Sequence, residues 1–250
     1  MRRRLLRWRL AAPKLLRAFA DAYPRAVFVE IGSNDGEQHD HLQPFILSSA
    51  WRGVMVEPVP YVFERLRRNY GDAAGISLDN SAIGDRDGRR PFYYLAEASD
   101  EEREALPGWY DGIGSFSREA VLSHAREIPD IESRVVQKEL PTITYESLCQ
   151  KHGLDKVDLL LIDVEGYDRD LIRAIDFDRG LPRLVVYEHY HLAPDEREEC
   201  RAHMEGLGYE TMEEHFDTFC LLPRDDALTR RFRRLRPGLP GIAAYEEDAR

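Results

Sequence analysis

Four short apolar runs in this chain each end in acidic residues, and that arrangement narrows the fold more than any other feature. The first, Val27, Phe28, Val29, Glu30 and Ile31, breaks into Gly32, Ser33, Asn34, Asp35 and Gly36. The second, Gly53, Val54, Met55 and Val56, ends in Glu57. That acid falls 21 residues after Gly36, about the offset at which doubly wound folds place a carboxylate for ribose hydroxyls. The third run, Val157, Asp158, Leu159, Leu160, Leu161 and Ile162, leads to Asp163, Val164, Glu165 and Gly166. The fourth, Pro182, Arg183, Leu184, Val185, Val186 and Tyr187, leads to Glu188 and His189. Near-continuous apolar runs of this length are those of parallel strands covered on both faces. Acids at the carboxyl ends of four such strands predict an open α/β sheet that binds its ligand along that edge.

The glycine spacing selects the ligand. The loop reads E-x-G-x-x-x-G from Glu30 to Gly36, which is not the dinucleotide pattern, and no lysine follows Gly36 to make a phosphate cradle. An acid before the first glycine suits a ligand with a cationic amino group and no phosphate, and S-adenosylmethionine is such a ligand. Taken alone, the loop also reads as a plain strand-to-helix turn, and any single acid as a helix cap or loop end. Four acids on one edge favour the ligand.

At Ile162, Asp163, Val164, Glu165 and Gly166 the chain resembles the FkbM-type S-adenosylmethionine-dependent methyltransferases, whose signature is I-D-V-E-G. The resemblance extends from about Val27 to Pro223. It includes the Glu30 to Gly36 loop, Val56-Glu57-Pro58, Asn80 to Gly84, the turn Asp85 to Gly88, Pro141 to Thr144, and Leu207-Gly208-Tyr209, in matching order. Two positions depart from the family: Leu161 replaces its usual lysine and Asp168 its usual glutamate. The resemblance implies a Rossmann-like class I methyltransferase fold, α/β, with a mostly parallel seven-stranded sheet, an antiparallel last strand and helices on both faces. It implies that Glu30, Gly32, Asn34, Asp35, Gly36, Glu57, Asn80 and Asp163 surround the cofactor. The implied reaction is O-methylation of a hydroxyl on a sugar, glycolipid or polyketide-like natural product.

Methyl transfer from a sulfonium chiefly requires a nucleophile held in line with the S–CH3 bond. An aliphatic hydroxyl also needs its proton drawn away, by a base or a divalent metal. Asp163, Glu165, Glu188 and His189 are the candidate catalytic residues. Asp163 and Glu188 supply oxygen ligands of the kind Mg2+ takes, leaving His189 or His191 to receive the proton. Tyr93, Tyr110, Tyr187 and Tyr190 beside acids are usual partners of a polyol, although core tyrosines look the same in sequence. Two alternatives stand beside this reading: a methyltransferase with an amine acceptor, and a non-catalytic binding protein of the same fold.

The organisation expected is one domain. The chain has 250 residues, 43% of them apolar, enough for a single large core and with no linker dividing it. The methyltransferase domain spans residues 26–223, with 98–139 as a substrate or lid insertion in which residues 112–117 fold back. Within it, residues 80–84, the turn 85–88 and residues 91–95 read as strand, turn and returning strand; 193–207 reads as a helix. Residues 209–213 and 218–222 read as the last strand pair, with His215 in their turn. Residues 1–25 carry a charge balance of +7 in a chain of net charge −11. Leu5, Leu6, Trp8, Leu15, Leu16 and Phe19 share a side of a helix interrupted near Pro13, the pattern of a segment lying on an inner membrane face or binding a partner. A helix packed on the domain with solvated arginines reads the same way. Residues 224–250 form a basic, then acidic, tail. The overall negative charge argues against nucleic acid as partner. Cys149, Cys200 and Cys220 are too scattered for a disulfide framework and point to the cytoplasm. No signal peptide or membrane span is legible.

Overall fold

The computed structural model describes residues 11–37 and 40–236. Its strands are β1 (Val27–Ile31), β2 (Arg52–Val56), β3 (Ile76–Asp79), β4 (Ala82–Ile83), β5 (Gly88–Leu95), β6 (Gly114–Ser115), β7 (Val135–Ile143), β8 (Leu159–Ile162), β9 (Leu184–Glu188), β10 (Glu210–Glu214) and β11 (Asp217–Leu221). The longer helices are α1 (Ala12–Ala22), α2 (Pro60–Tyr70), α3 (Tyr145–Lys151), α4 (Asp168–Ala174), α5 (Pro194–Gly206) and α6 (Ala227–Leu235).

The main sheet has seven strands in the order β3, β2, β1, β8, β9, β11, β10. Pairing is parallel from β3 through β9, and β11 lies antiparallel between β9 and β10, as a class I methyltransferase sheet requires. Register explains why the acids converge. Ile31 lies level with Val56 and with Ile162, and Ile162 with Tyr187. The next residues of the four strands, Gly32, Glu57, Asp163 and Glu188, therefore leave the sheet at one edge.

Both faces are covered, because side chains alternate along buried strands. Phe28, Met55, Leu159 and Phe219 pack with Leu15, Leu16 and Phe19 of α1, Leu66 and Tyr70 of α2, and Leu228 and Phe232 of α6. Val29, Ile31, Leu160 and Ile162 face Leu148 of α3, Leu171 and Ile172 of α4, and Cys200 and Met204 of α5.

The packing of α1 favours the packed-helix reading of the N-terminal segment, and that of α6 ties in the start of the C-terminal one. Pro13 sits in the first turn of α1, where its missing N–H costs nothing, so it opens the helix rather than interrupting it. The buried Glu214 carboxylate accepts the N–H groups of Ala11 and Ala12, an acid on a helix N-terminus. Leu15, Leu16 and Phe19 are core side chains and are not free to meet a membrane; Leu5, Leu6 and Trp8 lie outside the described residues. Residues 224–236 are tied in equally: buried Arg183 bridges to Asp226 at 2.6 and 2.8 Å and to Thr229 Oγ1 at 3.0 Å. Neither residue 25 nor residue 223 marks a break in the packing. The acidic end lies outside the described residues. Among those described, no helix is long and apolar enough to cross a membrane, and all three cysteines are free.

Inserted between β3 and β8 is a second sheet, ordered β4, β7, β5, β6. The expected pairing of residues 80–84 with 91–95 is not formed. β7 lies between them, parallel to β4 and antiparallel along all of β5. The turn is held from below, since Asp87 accepts the Thr144 N–H and the Ser147 hydroxyl, both at 2.8 Å. Residue 139, the expected end of the insertion, falls inside β7. The insertion also has a core of its own in Leu95, Ala98, Tyr110, Ile113, Val121, Ile128 and Ile131.

Candidate active site

A narrow cavity lies between the acidic edge of the main sheet and the second sheet, walled by Gly32, Glu57, Phe92, Phe116, Asp163 and Glu165. The β1 loop forms its floor. Gly32 has φ +85°, and a Cβ there would lie 1.7 Å from the Asp163 carbonyl oxygen, so this turn against β8 admits only glycine. Gly32 and Ser33 N–H groups both donate to the Val56 carbonyl at 3.0 Å. Ser33 Oγ, to which the sequence assigned no role, donates to the Glu30 carbonyl and accepts from Val56 N–H, sewing β1 to β2.

Glu57 joins the two loops: one oxygen accepts the Asn34 N–H at 3.1 Å and the other the Val59 N–H at 2.7 Å. Burial pushes its carboxyl up to about 8 against those two donors. Asn80 Nδ2 donates to the Glu57 and Pro58 carbonyls, so its amide braces the β2 turn. Asp35 accepts from Glu37 N–H, and its carbonyl accepts from Asn69. Gly36 fits against Tyr70, whose ring a Cβ would meet at 2.4 Å. Of the eight residues expected around a cofactor, Gly32, Glu57 and Asp163 wall the cavity, while Asn34, Asp35, Gly36 and Asn80 build the loops behind it. Glu30 is buried on the opposite face of β1. Burial, then Asp40, holds its carboxyl well above the usual range, and its Oε2 has no hydrogen-bond partner. Asp40 carried no sequence signal.

The acids after β8 and β9 form one group. Asp163 presents its surface to the cavity; enclosure by protein, then Glu165, Asp168, Asp217 and Glu57, raises its carboxyl well above normal. Burial raises Glu188 to about 11, reinforced by Asp163, Glu165, Asp168 and Asp217. Asp168, standing where the family has glutamate, is fully buried and raised to about 7; half-buried Asp217 is also raised to about 7, in each case chiefly by desolvation. The basic side chain that meets this group is His191. Its Nε2 lies 3.0 Å from Glu165 and 3.7 Å from Glu188. Burial alone would lower His191, but Glu165 outweighs it and holds the imidazole above its ordinary value.

The two histidines of this stretch separate sharply. His189 is buried, with Nδ1 2.8 Å from Thr218 Oγ1 and Glu213 as its carboxylate neighbour. Burial, then Arg197, lowers it to about 4. The structure does not bring His189 to the acids; strand alternation sends Glu188 towards them and His189 away from them. Among the described residues, Asp163 and Glu188, the expected Mg2+ ligands, do not belong to a three-ligand group. Among the described residues the ligand atoms that come together, all within 4.8 Å of one another, are those of His124, Glu165 and His191. His124 stands in a polar part of the insertion with nothing in the sequence to mark it.

Tyr110 and Tyr187 are core residues, and Tyr93 packs against the insertion core. Tyr190 is 49% exposed and joins His191, Phe216 and His215 in a chain of ring contacts of 5.0, 4.5 and 3.7 Å. Across the cleft Trp109 meets His124 at 5.3 Å. Leu161, replacing the family lysine, packs into the core beside β1.

Sheet order, the antiparallel β11 and a cavity on the carboxyl edge define a class I methyltransferase fold. The description "Methyltransferase FkbM domain" fits residues 30–211, and the chain belongs to the FkbM methyltransferase family. Among solved structures it is similar to methyltransferase FkbM from Methylobacillus flagellatus KT, at 13% identity and a TM-score of 0.47 over 79% of this chain and 44% of that one. Aeropyrum pernix fibrillarin in complex with natively bound S-adenosyl-L-methionine is 13% identical, with a TM-score of 0.39 over 78% and 66% of the two chains. Precorrin-6y C5,15-methyltransferase from Geobacter metallireducens GS-15 is 11% identical, with a TM-score of 0.36 over 78% and 79%. This chain thus spans under half the length of the first of these. No curated protein matches it.

Proposed function

We propose that this chain is an S-adenosylmethionine-dependent O-methyltransferase acting on a hydroxyl of a small molecule or glycan. The observation that carries the reading is the group of five carboxyls, Asp163, Glu165, Asp168, Glu188 and Asp217, gathered beside the tight Gly32 turn at the cavity floor. Carboxyls crowded this closely resist losing their protons together, and a cationic ligand would let them ionise. The fit is chemical as well as spatial: Glu57 retains acceptor capacity for ribose hydroxyls, and Asp163 faces the cavity where an ammonium would be held. Bound there, S-adenosylmethionine supplies an electrophilic methyl group.

The protein's own work is to position, dry and activate the acceptor. Phe92 and Phe116 close the cavity on the second-sheet side, and Gly112 of the insertion lies against Asn34 and Glu165, so the insertion excludes water from above. Activation of the hydroxyl falls to the Glu165–His191 pair, in which Glu165 lines the cavity and His191 lies 3.0 Å from it and 3.7 Å from Glu188. Exposed Tyr190, Phe216 and Trp109 offer flat apolar faces beside carboxyls, a surface that stacks sugar rings or planar natural products.

The test is calorimetric titration with S-adenosylmethionine and S-adenosylhomocysteine, followed by a methyl-transfer screen of sugar and polyketide hydroxyls read by mass. Micromolar cofactor binding and methyl transfer to oxygen support the reading. A folded chain that binds neither cofactor overturns it in favour of a non-catalytic binding protein, and transfer to nitrogen overturns the acceptor assignment.

A further inference from the structure

We propose that His124, Glu165 and His191 form a binding site for a divalent transition-metal ion, of the Zn2+ or Mn2+ kind, which ties the insertion to the sheet edge and presents open positions to the acceptor oxygen. The metal site stands on geometry alone; its service to the acceptor rests on the methyltransferase reading.

Three separate segments supply the ligands. His124 comes from the helical turn Ser123–Arg126 of the insertion, Glu165 from the turn after β8, and His191 from the segment after β9. Their ligand atoms lie within 4.8 Å of one another, and His191 Nε2 is 3.0 Å from Glu165 Oε2. Two ligands on one ion with bonds of about 2.0–2.2 Å lie about 3–4 Å apart, so side-chain rotation of about 1 Å closes the set. Glu165 has φ +51°, a left-handed backbone conformation that costs a non-glycine residue energy and is kept where structure holds a side chain in place.

The surroundings select a cation and its type. No lysine or arginine ion pair reaches Asp163, Glu165, Asp168, Glu188 or Asp217 among the described residues, and Glu188 Oε2, 3.7 Å from His191 Nε2, is buried without a hydrogen-bond partner. Two imidazoles with one carboxylate suit Zn2+, Mn2+ or Fe2+; Mg2+ prefers all-oxygen ligands. The rings of His124 and His191 meet edge to face at 5.4 Å, flanked by Trp109 and Tyr190, so both imidazoles are only partly open to water. Three protein ligands leave at least one position for a substrate oxygen, whose hydroxyl the ion would acidify. With the ion in place that acidification passes from the imidazole to the metal.

The experiment uses untagged, EDTA-treated, dialysed full chain titrated with Zn2+ and with Mn2+ by calorimetry, with hydrogen exchange followed over residues 98–134. The expected result is one ion per chain, slower exchange around residue 124 in the loaded protein, and affinity reduced about tenfold or more in His124→Ala and in Glu165→Gln. His203→Ala, remote from the site, retains wild-type affinity. Circular dichroism confirms folding, and His124→Ala, on a partly exposed turn, keeps the test open if a Glu165 variant unfolds. No binding to folded protein, or unchanged affinity in His124→Ala, overturns the site. S-adenosylmethionine is titrated in parallel: cofactor binding without metal binding rejects the metal site alone, and metal binding without cofactor binding rejects the methyltransferase reading alone.

Discussion

Replacing Gly32 by alanine tests the architecture of the cofactor edge at its tightest point. A Cβ there would lie 1.7 Å from the Asp163 carbonyl oxygen, where contacts under 3.0 Å are essentially never seen, so the β1 and β8 turns must part by more than about 1 Å. The Gly32 and Ser33 N–H bonds to the Val56 carbonyl are both 3.0 Å long and do not survive such a shift intact. Two weakened hydrogen bonds at about 0.5–1.5 kcal/mol each, with about 1–2 kcal/mol for an alanine at φ +85°, total about 2–5 kcal/mol. Urea denaturation reads the part lost to stability, and calorimetry the part lost to S-adenosylmethionine binding. The two losses together should reach that range, with binding reduced at least tenfold. Gly153→Ala controls for left-handed strain alone, since its Cβ would meet nothing within 4 Å. The reasoning fails if Gly32→Ala costs no more than Gly153→Ala and binds the cofactor normally.

Other outcomes follow from the same geometry. Asp226→Ala should cost about 2–4 kcal/mol in urea, because it strands the buried Arg183 guanidinium and removes the α6 N-cap; Asp226→Asn, which keeps the cap, should cost less, and equal losses would refute the charge argument. His191→Ala should abolish turnover with the fold intact, whereas His189→Ala should lose about 1–3 kcal/mol of stability through its buried bond to Thr218; an inactive but fully stable His189 variant would reverse the assignment. Glu57 is raised by the fold to about 8, so below about pH 4 it has no effect on stability, and a penalty grows as pH rises from there towards 8. Stability of wild type relative to Glu57→Gln should therefore fall over that window, and cofactor affinity should climb towards pH 8 in wild type only; parallel pH profiles would contradict this. Phe19→Ala should lower stability by about 3–5 kcal/mol, as for a core aromatic, and a loss under 1 kcal/mol would return α1 to the role of a surface arm.

The strands, their parallel pairing and the acid-bearing edge were legible in the sequence because they rest on local signals. Val27 to Ile31 and Leu159 to Ile162 are continuous apolar runs, and such runs belong in the middle of a covered sheet. The glycine turn and Glu57 were legible for the same reason: spacing along a strand-turn unit sets their place. The N-terminal helix was ambiguous because amphipathicity shows that a face must be covered and not by what; α1 met α6 across about 200 residues of chain, a pairing no local pattern encodes. β7 displaced the expected hairpin because a nine-residue strand pairing along all of β5 forms more of a ladder than a two-residue β4 can.

The candidate site divides along the same line. By itself the sequence determined which chemistry gathers at the sheet edge, since strand ends in register deliver Gly32, Glu57, Asp163 and Glu188 together. Only the tertiary structure decided which histidine joins them. His189 and His191 are two residues apart and indistinguishable by composition, yet chain direction at the end of β9 buries one against Thr218 and turns the other onto Glu165. It also brought His124 from an unmarked loop to within reach of both, because long-range packing of the insertion core, and not any feature near residue 124, sets that loop's position.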